Sequence, residues 1–149
     1  MEWTKDAYRI TTDKEQINVD YVHGFLSQTY WAENIPLDTV RRSIEGSLCF
    51  SVFYGDQQVG FARVITDSAT FAYLADVFID EGFRSRGLSK WLLEVVIGHP
   101  QLQGLRRFLL ATRDAHGLYQ QFGFQPLTNI APWMQIHQPD VYTKEASSQ

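Results

Sequence analysis

Apolar residues change their spacing along the chain, and the changes mark the elements. Residues 8–12 carry the pattern of a short first strand, after which Val19, Val22, Leu26 and Tyr30 recur at helical spacing behind Asn18, a residue type that caps helix starts. Pro36 suits a first helical turn, Leu37, Val40 and Ile44 follow on one face, and Gly46 ends the run. The period then falls from helical to two: Leu48, Phe50, Val52 and Tyr54 alternate with smaller residues, Gly55-Asp56 turns the chain, and Val59, Phe61, Arg63 and Ile65 alternate again. A polar turn at Asp67-Ser68 leads into a long apolar strand over 70–79. Leu88, Trp91, Leu92, Val95 and Val96 trace the apolar stripe of a helix that stops at Gly98-His99-Pro100. Beyond it the pattern predicts a buried strand at 108–112, a short helix at 115–122 closed by Gly123, and final strands at 124–127 and 133–137. The order β-α-α-β-β-β-α-β-α-β-β predicts an α+β fold: a mixed, mostly antiparallel sheet of six to seven strands flanked by helices. The strands at 70–79 and 108–112 flank a crossover helix, so the handedness rule makes them parallel.

The chain has 149 residues, 44% of them hydrophobic and 20% charged, which suits one ordinary domain with its own core. No repeat, low-complexity tract or Pro/Gly/Ser linker divides it, so residues 1–149 are expected to form one domain, with only the tail from Thr143 to Gln149 frayed. No apolar run approaches the roughly 20 residues that span a bilayer, and the polar opening stretch lacks the apolar centre of a secretory signal. With one cysteine, Cys49, no internal disulfide can form, and a cytoplasmic protein is expected. A net charge of −4 argues against general attraction to nucleic acid or anionic lipid and mildly favours a cationic ligand. The four histidines and the cysteine lack the paired spacing of zinc sites, so no metal is expected. Monomer and homodimer both remain open.

The chemistry concentrates where strand 70–79 meets the following helix. Arg84-Ser85-Arg86-Gly87-Leu88-Ser89 enters that helix at its N-terminus, where unpaired backbone N–H groups and the positive end of the dipole favour an anion. Gly87 lets backbone approach a pyrophosphate closely, Ser89 is small and adds a hydroxyl, and Arg84, Arg86 and Lys90 supply charge. Two familiar phosphate motifs do not fit. A P-loop ends in Gly-Lys-Ser/Thr, and a dinucleotide fingerprint needs three glycines in six positions.

The turn as Arg84-x-x-Gly87-x-Ser89 resembles the acyl-CoA motif of the GNAT superfamily of N-acetyltransferases, Arg/Gln-x-x-Gly-x-Gly/Ala between a strand and a helix. Leu74-Ala75-Asp76-Val77-Phe78-Ile79 resembles that family's fourth strand, and Leu118-Tyr119-Gln120-Gln121-Phe122-Gly123-Phe124 its signature of a tyrosine, three residues and Gly-Phe. The likeness covers nearly the whole chain. It implies a V-shaped opening between the parallel strands, with the pantetheine arm of acetyl-CoA in the gap.

What the resemblance implies can be stated residue by residue. Val77, Phe78 and Ile79 would offer backbone groups to the pantetheine and the thioester oxygen, while Arg84, Ser85, Arg86, Gly87, Leu88 and Ser89, with Lys90, would hold the pyrophosphate. Tyr119 falls at the family's general-acid position, where a phenol protonates the departing thiolate. Ser89 replaces the commoner glycine or alanine. Ala75 stands where some relatives place a catalytic glutamate, which leaves Asp76 as the nearby carboxylate, either a base or a structural acceptor. Strand alternation allows only one of Tyr73 and Asp76 to face the opening. The acceptor would be a primary amine of a small molecule or peptide. Trp31 and Glu33, in a stretch resembling the family's substrate-side loop, and Tyr73 are the residues placed to bind it. A rival expectation keeps the fold and the ligand but no turnover: an acyl-CoA-binding sensor or interaction module. Cys49, in an alternating strand with no histidine beside it, reads as a buried thiol rather than a nucleophile.

Overall fold

The computed structural model describes residues 1–143. Its centre is one six-stranded sheet whose spatial order follows the chain: β1 (Glu2–Lys5), β2 (Tyr8–Thr11), β3 (Leu48–Tyr54), β4 (Gln57–Thr66), β5 (Phe71–Ile79) and β6 (Arg107–Leu110). Neighbours pair antiparallel except β5 and β6, which are parallel, as the crossover through α3 (Leu88–Gly98) requires. Helices α1 (Val19–Leu26) and α2 (Leu37–Glu45) cover one face, and α3 covers the other.

Two apolar clusters hold these layers together, and they follow from strand alternation. Phe50, Val52, Val64, Ala72 and Leu74 point toward Leu92, Leu93 and Val96 of α3. Cys49, Phe61 and Phe78 point the other way, toward Val22, Leu26, Val40 and Ile44. Asn18 caps α1 as its residue type suggests, its side chain accepting from the Tyr21 amide. Gly60, where β4 crosses β5, has a tight packing role: a Cβ there would lie 2.7 Å from the Ile79 side chain and 3.0 Å from the Phe78 carbonyl oxygen.

Four expectations need correction. The pattern missed β1, since Glu-Trp-Thr-Lys offers only Trp3 to the core; the strand is defined by its ladder to β2 across a turn in which Asp6 adopts φ 55°. Helix α1 stops at Leu26 rather than reaching Tyr30, because tighter i→i+3 bonds from Gln28 to Phe25 and from Thr29 to Leu26 unwind the end. Tyr30 therefore sits in the loop that leads to α2. The strands expected at 124–127 and 133–137 do not form. Pro126, Pro132 and Pro139 withhold amides from any ladder, and the segment lies along β6 through side chains instead, with Phe124 against Phe108 and the Arg107 guanidinium 4.6 Å from the Trp133 ring centre. The remaining difference is the expected helix at 115–122, which is α4, one shorter turn over His116–Gln120. Of the tail expected to fray, residues 144–149 lie outside the described part.

Candidate active site

The site begins where the parallel ladder ends. β5 and β6 are in register from Phe71 opposite Arg107 to Leu74 opposite Leu110, and there the pairing stops, although β5 continues to Ile79. Past that point β5 runs on alone, and a cavity lies between it and the segment that follows Leu110.

At the start of the opening β5 is irregular. Arg63 pairs with Ala75 and Phe61 with Phe78, so Ala62 alone faces Asp76 and Val77 together. That is a β-bulge, with its first residue, Asp76, at φ 55° in the left-handed region where glycine is usual. The bulge shifts the alternation by one: Ala72 and Leu74 pack toward α3, and so does Ile79, while Phe78 turns to the α1 side. Tyr73 and Asp76 consequently line the same cavity, which corrects the expectation from simple alternation that only one of them could.

Each oxygen of the Asp76 carboxylate accepts a hydrogen bond within the protein. Its Oδ2 accepts a 2.8 Å hydrogen bond from Arg63 Nε, and its Oδ1 accepts one of 2.9 Å from Trp31 Nε1. Arg63 Nη1 donates on to Ser47 Oγ at 3.1 Å. Side-chain exposures of 15% for Arg63 and 9% for Asp76 make this a partly buried ion pair. In the fold the Asp76 carboxylate thus serves as a hydrogen-bond acceptor for two elements.

Two cavities meet in the opening. One, about 530 Å³, is walled by Tyr30, Trp31, Tyr73, Asp76 and the loop that follows β6, Thr112 to Asp114. The other, about 650 Å³, runs past Phe78 and Ile79 to Arg84 and Ser89 at the start of α3. Tyr119, Val77, Tyr30, Trp31, Arg113 and Ala115 belong to both. Tyr119 is half-buried, and among the described residues its hydroxyl has no hydrogen-bond partner. Burial raises its pKa above the ordinary phenol value and the neighbouring Tyr30 adds to the rise, so the hydroxyl keeps its proton at neutral pH.

The turn before α3 has the features of an anion seat. Gly87, the residue preceding the first helical turn, sits at φ 76° and Ser85 at φ 65°. Among the described residues, the backbone N–H groups of residues 85–90 have no backbone or side-chain partner; the first bonded amide is that of Trp91, to the Gly87 carbonyl. Consecutive amides left free around left-handed residues form a concave nest for an anion. The flanking side chains contribute unequally. Arg84 Nε donates to the Ile79 carbonyl at 3.1 Å and lines the cavity beside Ser89, whereas Arg86 Nη1 donates to the Tyr8 hydroxyl at 2.9 Å and lies over the Phe83 ring. Lys90 is exposed and Leu88 is buried in the core.

Glu33 lies apart from these two cavities. It lines a smaller space of about 290 Å³ with Asn34, His137 and residues 138–143, which adjoins the main opening through Tyr30 and Trp31. Sequence reasoning missed Arg63 and Arg113. An arginine two residues from buried Phe61 on an apolar strand implied an anion to meet it, a signal that was present. Arg113 gave none: its guanidinium stacks 3.7 Å from the Tyr30 ring centre, across the opening, and only the folded chain brings these residues together. Cys49 is buried, its thiol pushed up to about 11 by desolvation, so it is not a poised nucleophile.

A mixed sheet open between parallel neighbours, with free amides at the turn that follows one of them, matches the fold that the resemblance implies. The chain belongs to the acetyltransferase (GNAT) family, whose pattern matches residues 11–124. A Gibberella zeae protein described as a candidate acetyltransferase is 31% identical, with 78% of each chain covered. The crystal structure of a GNAT-family protein from Xanthomonas campestris pv. campestris, also described as a candidate acetyltransferase, is 49% identical and superposes with a TM-score of 0.90 over 92% of this chain and 97% of that one. A GNAT acetyltransferase from Elizabethkingia anophelis, solved with acetyl-CoA bound, shares the fold at 16% identity and a TM-score of 0.62, over 81% of this chain and 78% of that one. Among the described residues, no helix is long and apolar enough to cross a membrane.

Proposed function

We propose that the protein transfers an acetyl group from acetyl-CoA to a primary amine by direct attack, with Tyr119 as general acid. The observation that carries this reading is the confluence of two cavities at Tyr119, one of which reaches Arg84 and Ser89, in the turn whose amides at residues 85–90 are unpartnered among the described residues. The nest suits a pyrophosphate, and the cavity running from it past Ile79, Phe78 and Val77 suits the pantetheine arm, which brings the thioester to the point where β5 and β6 part. Acceptor and donor then occupy opposite sides of one gap, the arrangement that converts a bimolecular step into a unimolecular one.

In this reading the amine nitrogen, as the neutral base, attacks the thioester carbon. The C–N bond forms, the C–S bond breaks, the sulfur takes the Tyr119 proton, and the acylated nitrogen gives up its second proton, through water, to the Tyr119 phenolate, which leaves a neutral amide and restores the acid. An alkyl ammonium has a pKa of about 10.4, so one proton must leave before attack. Both Asp76 oxygens already accept hydrogen bonds, so we assign the removal to water at the exposed mouth and give Asp76 an electrostatic and structural part beside the acceptor. Backbone at Val77 to Ile79 is the source of the oxyanion donor. Tyr30, Trp31 and Tyr73 give the acceptor cavity an aromatic wall that suits an alkyl ammonium, with Glu33 at a neighbouring entrance.

The test is thiol release from acetyl-CoA against a panel of polyamines, amino acids, aminoglycosides and peptides. Amine-dependent release supports the reading. Tight CoA binding with no release from any amine would favour a sensor, and no CoA binding would remove both.

A further inference from the structure

We infer that Arg63 and Trp31 are positioning residues of the transfer reaction, acting through the Asp76 carboxylate to hold the bulge in β5 against which the reactants lie. The inference rests on the proposed acetyl transfer and adds a role for two side chains that need not touch the reacting atoms.

The bulge is the irregularity that places Val77 in both cavities and returns Ile79 to the α3 side. It carries a cost. A residue with a Cβ in the left-handed region is strained; aspartate tolerates it better than most side chains, and contacts to its carboxylate help to hold it there. Two anchors do so from different elements. Arg63 grips Oδ2 from β4, the strand against which the bulge forms, and is itself tied to Ser47. Trp31 grips Oδ1 from the loop between α1 and α2. A surface ion pair would contribute little, but this one is partly buried, where losing one partner leaves the other charge poorly solvated.

The second anchor links the acceptor wall to the catalytic strand. Trp31 and its neighbour Tyr30 pack edge to face with ring centres 5.1 Å apart, and both line the acceptor cavity. Tyr30 in turn carries the Arg113 guanidinium from the far side of the opening. The loop therefore closes one wall of the acceptor cavity and, through a single indole N–H, reports its position to the bulge.

The test compares Trp31→Phe with wild type. Phenylalanine keeps an aromatic wall and removes the N–H. The expected result is a fall in kcat of roughly tenfold to a hundredfold at saturating acceptor, the scale of a small misplacement at a reacting centre, with the dissociation constant for CoA and the thermal midpoint nearly unchanged. A second pair separates backbone positioning from proton transfer: Asp76→Gly, which adopts the left-handed conformation freely, should retain more kcat than Asp76→Ala. Wild-type kcat in Trp31→Phe, or a change confined to the acceptor KM, would overturn the inference. Should the wild-type protein release no thiol with any amine, the acetyl-transfer reading fails separately. The anchor is then judged by the Val77 amide resonance and its hydrogen exchange, which Trp31→Phe should alter and which, left unchanged, would overturn it.

Discussion

Substitution at Gly87 separates the backbone requirement of the turn from its charge requirement. Any residue other than glycine at φ 76° is strained by about 1–2 kcal/mol. A Cβ at that point has nothing within 4 Å, so no clash is added. Gly87→Ala and Gly87→Glu should thus lose stability alike, lowering the thermal midpoint by about 2–8 °C for a chain of this size. They should part on ligand affinity. A glutamate carboxylate about 4–5 Å from a bound phosphate, at an effective dielectric near 20, repels each unit charge by about 3–4 kcal/mol, or roughly 10²–10³-fold in affinity. The contact is shorter than the Debye length of about 8 Å, so physiological salt removes only part of it, and raising the salt should narrow the gap between the variants. Calorimetric titration of CoA into both variants measures the difference directly. If Gly87→Glu binds CoA within threefold of Gly87→Ala, the amides of residues 85–90 are not the phosphate seat.

Tyr119→Phe keeps the ring packed against Phe124, so CoA affinity and stability should hold while kcat falls by about 10²–10⁴; full kcat on the true acceptor would remove Tyr119 from the mechanism. Because the Tyr119 pKa is raised by burial, loss of activity through its ionisation should begin only above the ordinary phenol range, and an alkaline limb well below pH 10 would refute its assignment as the acid. Cys49 should resist alkylation at pH 8 in the folded protein and react on unfolding, and Cys49→Ala should leave turnover intact. Since the folded Cys49 thiol holds its proton up to about pH 11, the folded state binds more protons than the unfolded chain from about pH 9 upward. Stability should therefore fall through that window, as denaturant midpoints at pH 8 and pH 10.5 would register, with the raised Tyr21 and Tyr119 phenols acting in the same direction.

The chain by itself determined the elements whose signal is local. The α3 stripe, the alternation of β3 and β4, the Gly87 turn and the parallel placement of β5 and β6 all follow from spacing, residue type and crossover handedness, and the motifs at Arg84 to Ser89 and Tyr119 to Phe124 marked the family. Tertiary structure decided what depends on two segments meeting. Alternation assumes an unbroken strand, so the bulge at Asp76 was invisible: Arg63 from β4 and Trp31 from the α1–α2 loop meet its carboxylate, and residues 13 and 45 positions away along the chain leave no mark on the local period. The same limit explains the strands expected after Gly123. Trp133 to His137 alternate well enough, but a strand is a relation between segments, and with prolines withholding amides the segment found side-chain contacts on β6 in place of a ladder. Arg113 over Tyr30 makes the point from the other side, since neither residue stands out in the sequence and their contact spans the opening where the chemistry would occur.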